Sequence, residues 1–429
     1  MKKFILPTIV FATVLFSSCS ISKKITRPAT KYVLENEAFV NAHTGISIYE
    51  PATGKYWYNY QAEKYFTPAS NTKLATCYAA MKYLGDSLIG IKYEQINDSM
   101  VVIKGMADPS FLHSDYTNNP VFDFLKEYKH IEIVNPEFKD YLGSGWGWGD
   151  YLEDYMAQRS AFPFHGNTVM VDWVNEHSLS FLPSYFQQHS AVNENLSKGY
   201  NAYRPWDTND FTFTDGRTKH SEIPFRPDEK TLQNLLKDTL KSDVKTIENY
   251  SGNLSKIIHS QPTDSLLKPM MHRSDNFFAE QSLLMVSERL LGEMSDRRII
   301  DTLLKTDYNL MPQKPSWVDG SGLSRYDLFS PKDFVFILNK MKNDFGMDRI
   351  KNILPTGGTG TISSYYKQDS GYIFVKTGTL NGVVALSGFL YTKKNKLLIF
   401  SVLVNNHRSS ATSIRKGIEK FIQELRDKY

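Results

Sequence analysis

The sequence predicts an α/β (α+β) fold, an antiparallel sheet covered by helices and interrupted by a large inserted lobe. Three observations predict it. A short hairpin pattern stands near the start, three strand-like runs and a helix stand at the end, and between them the composition changes. A lone two-stranded hairpin is marginal in water. The early hairpin must therefore pair with the late strands, and the stretch between them must be a lobe grown from a loop.

The first residues, Met1-Lys2-Lys3, the apolar run Phe4 to Phe16 and Ser17-Ser18-Cys19, have the order of a secretory signal. The run is well short of the roughly 20 residues a spanning helix needs, so residues 1–18 are expected to be a removed signal peptide. Leu15-Phe16-Ser17-Ser18-Cys19 resembles a bacterial lipobox, which implies cleavage before Cys19 and lipidation of its thiol. Residues 19–32 then form a lipidated tether, with Ile21 to Thr30, including Lys23, Lys24, Arg27 and Pro28, as a short flexible stalk. Ser20, where an aspartate often retains lipoproteins at the inner membrane, points to the outer membrane. The chain has 2 cysteines, so lipidation of Cys19 leaves Cys77 without an intrachain partner.

Gly45 to Glu50, the turn Pro51-Ala52-Thr53-Gly54 and Lys55 to Tyr60 form the hairpin. After Pro68-Ala69-Ser70 the period becomes helical, with Leu74, Cys77, Tyr78, Met81 and Leu84 on one face until Gly85. Cys77 falls on that inner face as a small apolar side chain. From about Tyr93 to Gly252 the chain turns aromatic, Pro- and Asn-rich, with short strand-like stretches at Ser99 to Lys104 and Thr168 to Val174. A helix follows from Asn276 to Leu291, opened by Ser274-Asp275-Asn276 and closed at Gly292. Gly371 to Val375, Val383 to Thr392 and Lys396 to Val404 read as strands, and Ser410 to Lys428 as the last helix. The domains are thus residues 33–92 plus 253–429, and an inserted region, 93–252.

A net charge of +4, with no basic stripe, gives no sign of a nucleic-acid partner. The sequence has no CxxC, HExxH or Walker-type loop, so neither metal nor cofactor is implied.

Three short motifs stand in order: Ser70-Asn71-Thr72-Lys73, Ser274-Asp275-Asn276 and Lys376-Thr377-Gly378. Singly each is weak, since S-x-x-K also occurs at Ser242 with Lys245 and at Ser364 with Lys367. Their order and context, a helix start, a loop before a helix and an edge strand, make the signal. A serine hydroxyl needs a base within hydrogen-bond reach, and one helical turn puts Lys73 on the face of Ser70. Lys73 is a base only when neutral, and burial and a neighbouring cation such as Lys376 both disfavour its charge. The helix start offers free N–H groups to an oxyanion beside Ser70. An edge strand carrying Gly378 offers another and lets a substrate approach. In an extended backbone Ser274 and Asn276 point the same way and line a cleft. Plainer readings exist for each: Ser70 as an N-cap, Lys376 and Thr377 as edge protection, Asp275 as a helix cap.

These residues, with Pro68-Ala69 and Leu74, Arg273, Ala279-Glu280, Val318-Asp319-Gly320-Ser321-Gly322-Leu323-Ser324-Arg325 and Thr379-Leu380, resemble the type-four penicillin-binding proteins, serine-type D-Ala-D-Ala carboxypeptidases and endopeptidases. Gly105 to Ser110, Trp146-Gly147-Trp148 and Leu354 to Ile362 extend the resemblance over nearly the whole mature chain. It implies a penicillin-binding-protein/β-lactamase-like transpeptidase domain with an insertion between the first and second motifs. It also implies roles: Ser70 as acylated nucleophile, Lys73 as base, Ser274 and Asn276 as second motif, and Lys376 as third-motif cation. Thr377 would receive the substrate's carboxylate, Gly378 would admit it, and the N–H groups of Ser70 and Thr379 would form the oxyanion hole. Asp319 and Ser321 would be structural or cleft-lining. The substrates would be peptidoglycan stems ending in D-Ala-D-Ala, with β-lactams as inhibitors, in the periplasm on a membrane-anchored lipoprotein. The chain departs from the family at Gly105-Met106-Ala107-Asp108, bulkier than a compact glycine-aspartate turn. A β-lactamase-like hydrolase and a non-catalytic wall-binding lipoprotein are the alternatives.

Overall fold

The computed structural model describes residues 22–134, 138–175, 178–193, 202–214 and 220–429. The expected signal segment and Cys19 lie outside the described residues.

The early hairpin is β1 (His43–Glu50) and β2 (Lys55–Tyr60). The chain then enters helix α1 (Lys73–Tyr83). Past the insertion come α2 (Asn276–Leu291) and α3 (Pro331–Ile353), the strands β3 (Ile373–Leu380), β4 (Val383–Tyr391) and β5 (Leu397–Asn405), and α4 (Ala411–Lys428). The five strands form one sheet in the order β3-β4-β5-β1-β2. β1 pairs antiparallel with β5, Ile46 opposite Val402 and Ser47 opposite Ser401, so the two ends of the chain complete each other as expected. β3 is an edge strand, and it runs on past Val375 to carry the third motif within it.

Alternation along β5 sorts its side chains between two cores. Ile399 and Leu403 join α1, α2 and α3 on one face, while Leu398, Phe400, Val402 and Val404 join α4 on the other. Each such side chain contributes about 1.5–3 kcal/mol on burial. Both faces being covered explains why β4 and β5 read as nearly continuous apolar runs.

From Ser22 the chain is helical, so the described part of the expected flexible stalk, residues 22–30, is ordered helix. Ile25, Ala29 and Val33 are fully buried in the cluster that holds Ile414, Ile418 and Phe421 of α4. Their spacing of four is the helical signal, and the flanking lysines and Pro28 mask it.

The inserted region has its own sheet, in the order Asp243–Ile247, His130–Val134, Met100–Gly105, Ser87–Asn97 and Lys256–Pro262. The entering strand Ser87–Asn97 pairs antiparallel with the leaving strand Lys256–Pro262. The lobe is therefore wider than 93–252 on both sides, because these two strands carry the chain out and back. The expected stretches at Ser99 and Thr168 are the strands Met100–Gly105 and Thr168–Asn175.

Candidate active site

Ser70 stands in a 3-10 turn, Ala69–Thr72, that runs directly into α1. The turn is held by Thr72 Oγ1 donating to Ala69 O at 3.0 Å, and Ala69 takes a left-handed φ of 48°. One turn on, Lys73 is fully buried. Its Nζ donates to Ser70 Oγ at 3.0 Å, to Asn276 Oδ1 at 2.5 Å and to Ser321 O at 2.8 Å. The first two motifs thus meet on one ammonium.

Asp275 caps α2, accepting from Phe278 N at 2.8 Å, as the plainer reading of that residue expects. Ser274 is left-handed rather than extended, at φ 65°. The turn sends Ser274 and Asn276 to different lysines: Lys376 Nζ donates to Ser274 Oγ at 2.7 Å and to Thr377 O at 2.9 Å. Asn276 also donates through Nδ2 to Tyr155 O of the lobe at 2.9 Å.

β3 lies against the turn of Ser70, tied by Asn71 Nδ2 donating to Lys376 O at 3.1 Å. A Cβ on Gly378 would fall 2.6 Å from Pro68 O and 3.1 Å from Ser70 N, so only glycine allows this approach. Val375 N points off the sheet edge to Pro355 O at 3.1 Å. With a period of two, the N–H of Thr379 points to the same open side, near that of Ser70. Thr377 Oγ1 donates to Thr361 Oγ1 at 2.8 Å, and Arg415 of α4 donates to Thr379 Oγ1 at 2.6 Å.

Burial lowers Lys73 to about 8, against the opposing pull of Asp319, Glu280, Asp275 and Asp327. Burial also pushes Lys376 well below the ordinary lysine range, and the charge of Lys73 adds to that. The repulsion between the two lysines thus bears on Lys376, whose contacts are with neutral oxygens. Burial raises the thiol of Cys77, inert inside α1.

Of the carboxylates around Lys73, Asp319 and Glu280 lie outside the three motifs, and only the resemblance draws attention to them. Asp319 accepts from Gly322 N, Ser324 N and Trp146 Nε1. Glu280 accepts from Ser321 N at 2.8 Å and faces Arg159 of the lobe at 3.4 Å. The glycines at 320 and 322 around Asp319 are the one sequence sign of so tight a loop. Hydrogen bonds join Ser70, Lys73 and Asn276 in one set and Ser274 and Lys376 in another, and the approach of Gly378 to Ser70 brings the two sets together, with Thr377, Gly378 and Thr379 following Lys376 on the same strand.

A model of the D-Ala-D-Ala carboxypeptidase 3 (S13) family matches residues 28–425. The penicillin-sensitive carboxypeptidase A of Dictyostelium discoideum is 22% identical over 448 residues, which cover 87% of this chain and 85% of that protein. Penicillin binding protein 4 from Haemophilus influenzae superposes with a TM-score of 0.72 at 18% identity, over 94% of this chain and 98% of that one. A penicillin G acylated predatory endopeptidase from Bdellovibrio bacteriovorus superposes with a TM-score of 0.53 at 13% identity, over 90% and 93%. At such identities the two superpositions establish the shared fold.

Proposed function

The chain belongs to the D-Ala-D-Ala carboxypeptidase 3 (S13) family, and from that premise we propose that it cleaves peptidoglycan stems through an acyl-enzyme on Ser70. The observation that carries this is Lys73 Nζ, buried and 3.0 Å from Ser70 Oγ. Neutral Lys73 takes the proton of Ser70 as Oγ attacks the carbonyl of the penultimate D-alanine. The N–H groups of Ser70 and Thr379 hold the oxyanion. Ser274, bonded to Lys376, passes a proton to the leaving amine as the C–N bond breaks. Protonated Lys73 resupplies that proton to the Ser274 side and is neutral again, so that water can split the ester by giving one proton to Lys73, which returns it to Ser70 Oγ. Thr377, beside Lys376, receives the carboxylate next to the scissile bond. That carboxylate is present both on a free stem, where the enzyme acts as a carboxypeptidase, and on a crosslink, where it acts as an endopeptidase.

A β-lactam carries the same carbonyl and carboxylate and would stay on Ser70 as a stable ester. Fluorescent penicillin is expected to label the protein and not Ser70→Ala, and mass spectrometry of digested peptidoglycan to show D-alanine released only by the former. Equal labelling of both proteins would refute the assignment.

Cys19 is the proposed lipid anchor of an exported, periplasmic protein held at the outer membrane, on the order of charged, apolar and small residues before it. Labelled palmitate should enter the full chain and not Cys19→Ala. Incorporation into both sinks the anchor.

A further inference from the structure

The peptide group between Ser321 and Gly322 bridges two buried ionisable side chains. Its carbonyl, Ser321 O, accepts from Lys73 Nζ at 2.8 Å, and its N–H, on Gly322, donates to Asp319 Oδ1 at 2.7 Å. The carbonyl end thus faces an ammonium and the N–H end a carboxylate. Each bond polarises the other, and between groups this deeply buried the effect is little screened. Asp319 and Ser321 are fully buried. The second oxygen of Asp319 accepts from Ser324 N at 2.7 Å and from Trp146 Nε1 at 2.9 Å. Trp146 belongs to the inserted lobe. The bridging peptide also has no room to move, for Gly322 sits at φ +81° with its absent Cβ position 1.9 Å from the carbonyl oxygen of Ala69.

Other charged or titratable groups face Lys73 from each packed element. Glu280 comes from α2, Asp275 from its cap, Asp327 from the loop after Asp319, and Lys376 from β3. Asp327 is itself pushed well up by burial and by the charge of Asp319, and Glu280 is opposed by Arg159. Of the carboxylates, Asp319 is the one joined to Lys73 by a single peptide group through hydrogen bonds at both ends.

We propose that Asp319 is a positioning residue for Lys73: through the Ser321–Gly322 peptide it fixes Nζ beside Ser70 and sets the pH at which Lys73 becomes a base. Trp146, by donating to the same carboxylate, brings the inserted lobe into that control. The proposal rests on Lys73 being the base.

The test is the second-order rate of acylation by fluorescent penicillin between about pH 6 and 10, where loss of the neutral base gives an acid limb. Asp319→Asn removes an anion that favours protonated Lys73, so the limb moves to lower pH, by about half a unit or more. Its amide nitrogen also cannot accept the N–H groups that Asp319 accepts, so the plateau falls on the order of tenfold to a hundredfold. Trp146→Phe keeps the carboxylate but removes a donor that partly neutralises it, so the limb moves the opposite way, to higher pH. A role confined to holding the loop would lower rate or melting temperature and leave both limbs in place. Folded variants whose limbs coincide with that of the parent, or move together, overturn the proposal. Should circular dichroism show Asp319→Asn unfolded, Trp146→Phe decides alone: an upward shift supports the proposal and an unmoved limb overturns it. A parent protein without an acid limb refutes instead the assignment of Lys73 as base, and this proposal with it.

Discussion

Lys73 shows what one residue's surroundings do to its chemistry. An exposed lysine is almost wholly protonated at neutral pH, whereas burial brings Lys73 to about 8, so roughly a tenth of it is neutral at pH 7. The neutral form being the base, acylation of Ser70 should rise with pH through about 8 and level off above it, falling about tenfold per unit below. Lys73→Arg keeps the charge and the reach toward Asn276 and Ser321 O, but a guanidinium does not lose its proton in proteins. Its acylation rate should be lower by about a hundredfold or more at every pH, with no acid limb near 8, as read by stopped-flow labelling. A variant that retains the parental limb would show that another group is the base. The pairing of Ser70 with Lys73 was legible because one helical turn separates them. The pull of Glu280 and Asp319 on Lys73 was not, although the resemblance singles both out, because they arrive from distant elements and only the fold brings them to it.

At the scale of elements, legibility followed local chemistry. The boundaries of α2 could be read from Asp275 at its start and Gly292 at its end, and the structure gives Asp275 the capping bond and Gly292 a φ of 71°. The start of α4 at Ser410 was legible for the same reason, its side chain accepting from Ser413 N. The turn of Ser274 was not, since a non-glycine residue at φ 65° is stabilised by its surroundings rather than by its own preference. This matters for the site, because with this turn Ser274 meets Lys376 while Asn276 meets Lys73. The N-terminal helix hid for another reason. Its apolar residues at 25, 29 and 33 are few and lie among lysines and Pro28, and only their fit onto α4 makes the segment part of the domain.

Across the whole molecule, the lobe is joined to the catalytic domain at the same charges that surround Lys73. Arg159 of the lobe is 1% exposed and donates to Asp140 O and Leu142 O, and its Nη1 lies 3.4 Å from Glu280 and 2.5 Å from Asp296. Taking away one partner of such a buried set leaves the other charged and dry, at a cost of about 3–5 kcal/mol. Arg159→Met tests this, with a sign that pH reveals. Burial, with Asp319 beside it, raises Glu280 to about 7 from its ordinary 4.5. Between those values the folded chain holds a proton that the unfolded chain has released, so this group's contribution to stability falls as pH rises through that window. Without Arg159, which lowers Glu280, the proton is held to still higher pH and the fall continues beyond 7. The loss in Arg159→Met should therefore be smaller near pH 5.5, where Glu280 is neutral in both proteins, and larger near pH 8.5, as read from urea midpoints at the two values. An equal loss at both would mean that Arg159 acts through its carbonyl and Asp296 contacts alone. A loss that grows with pH would mean that the lobe holds the charge of Glu280 in place, and with it the backbone of Ser321 to which Lys73 is bonded.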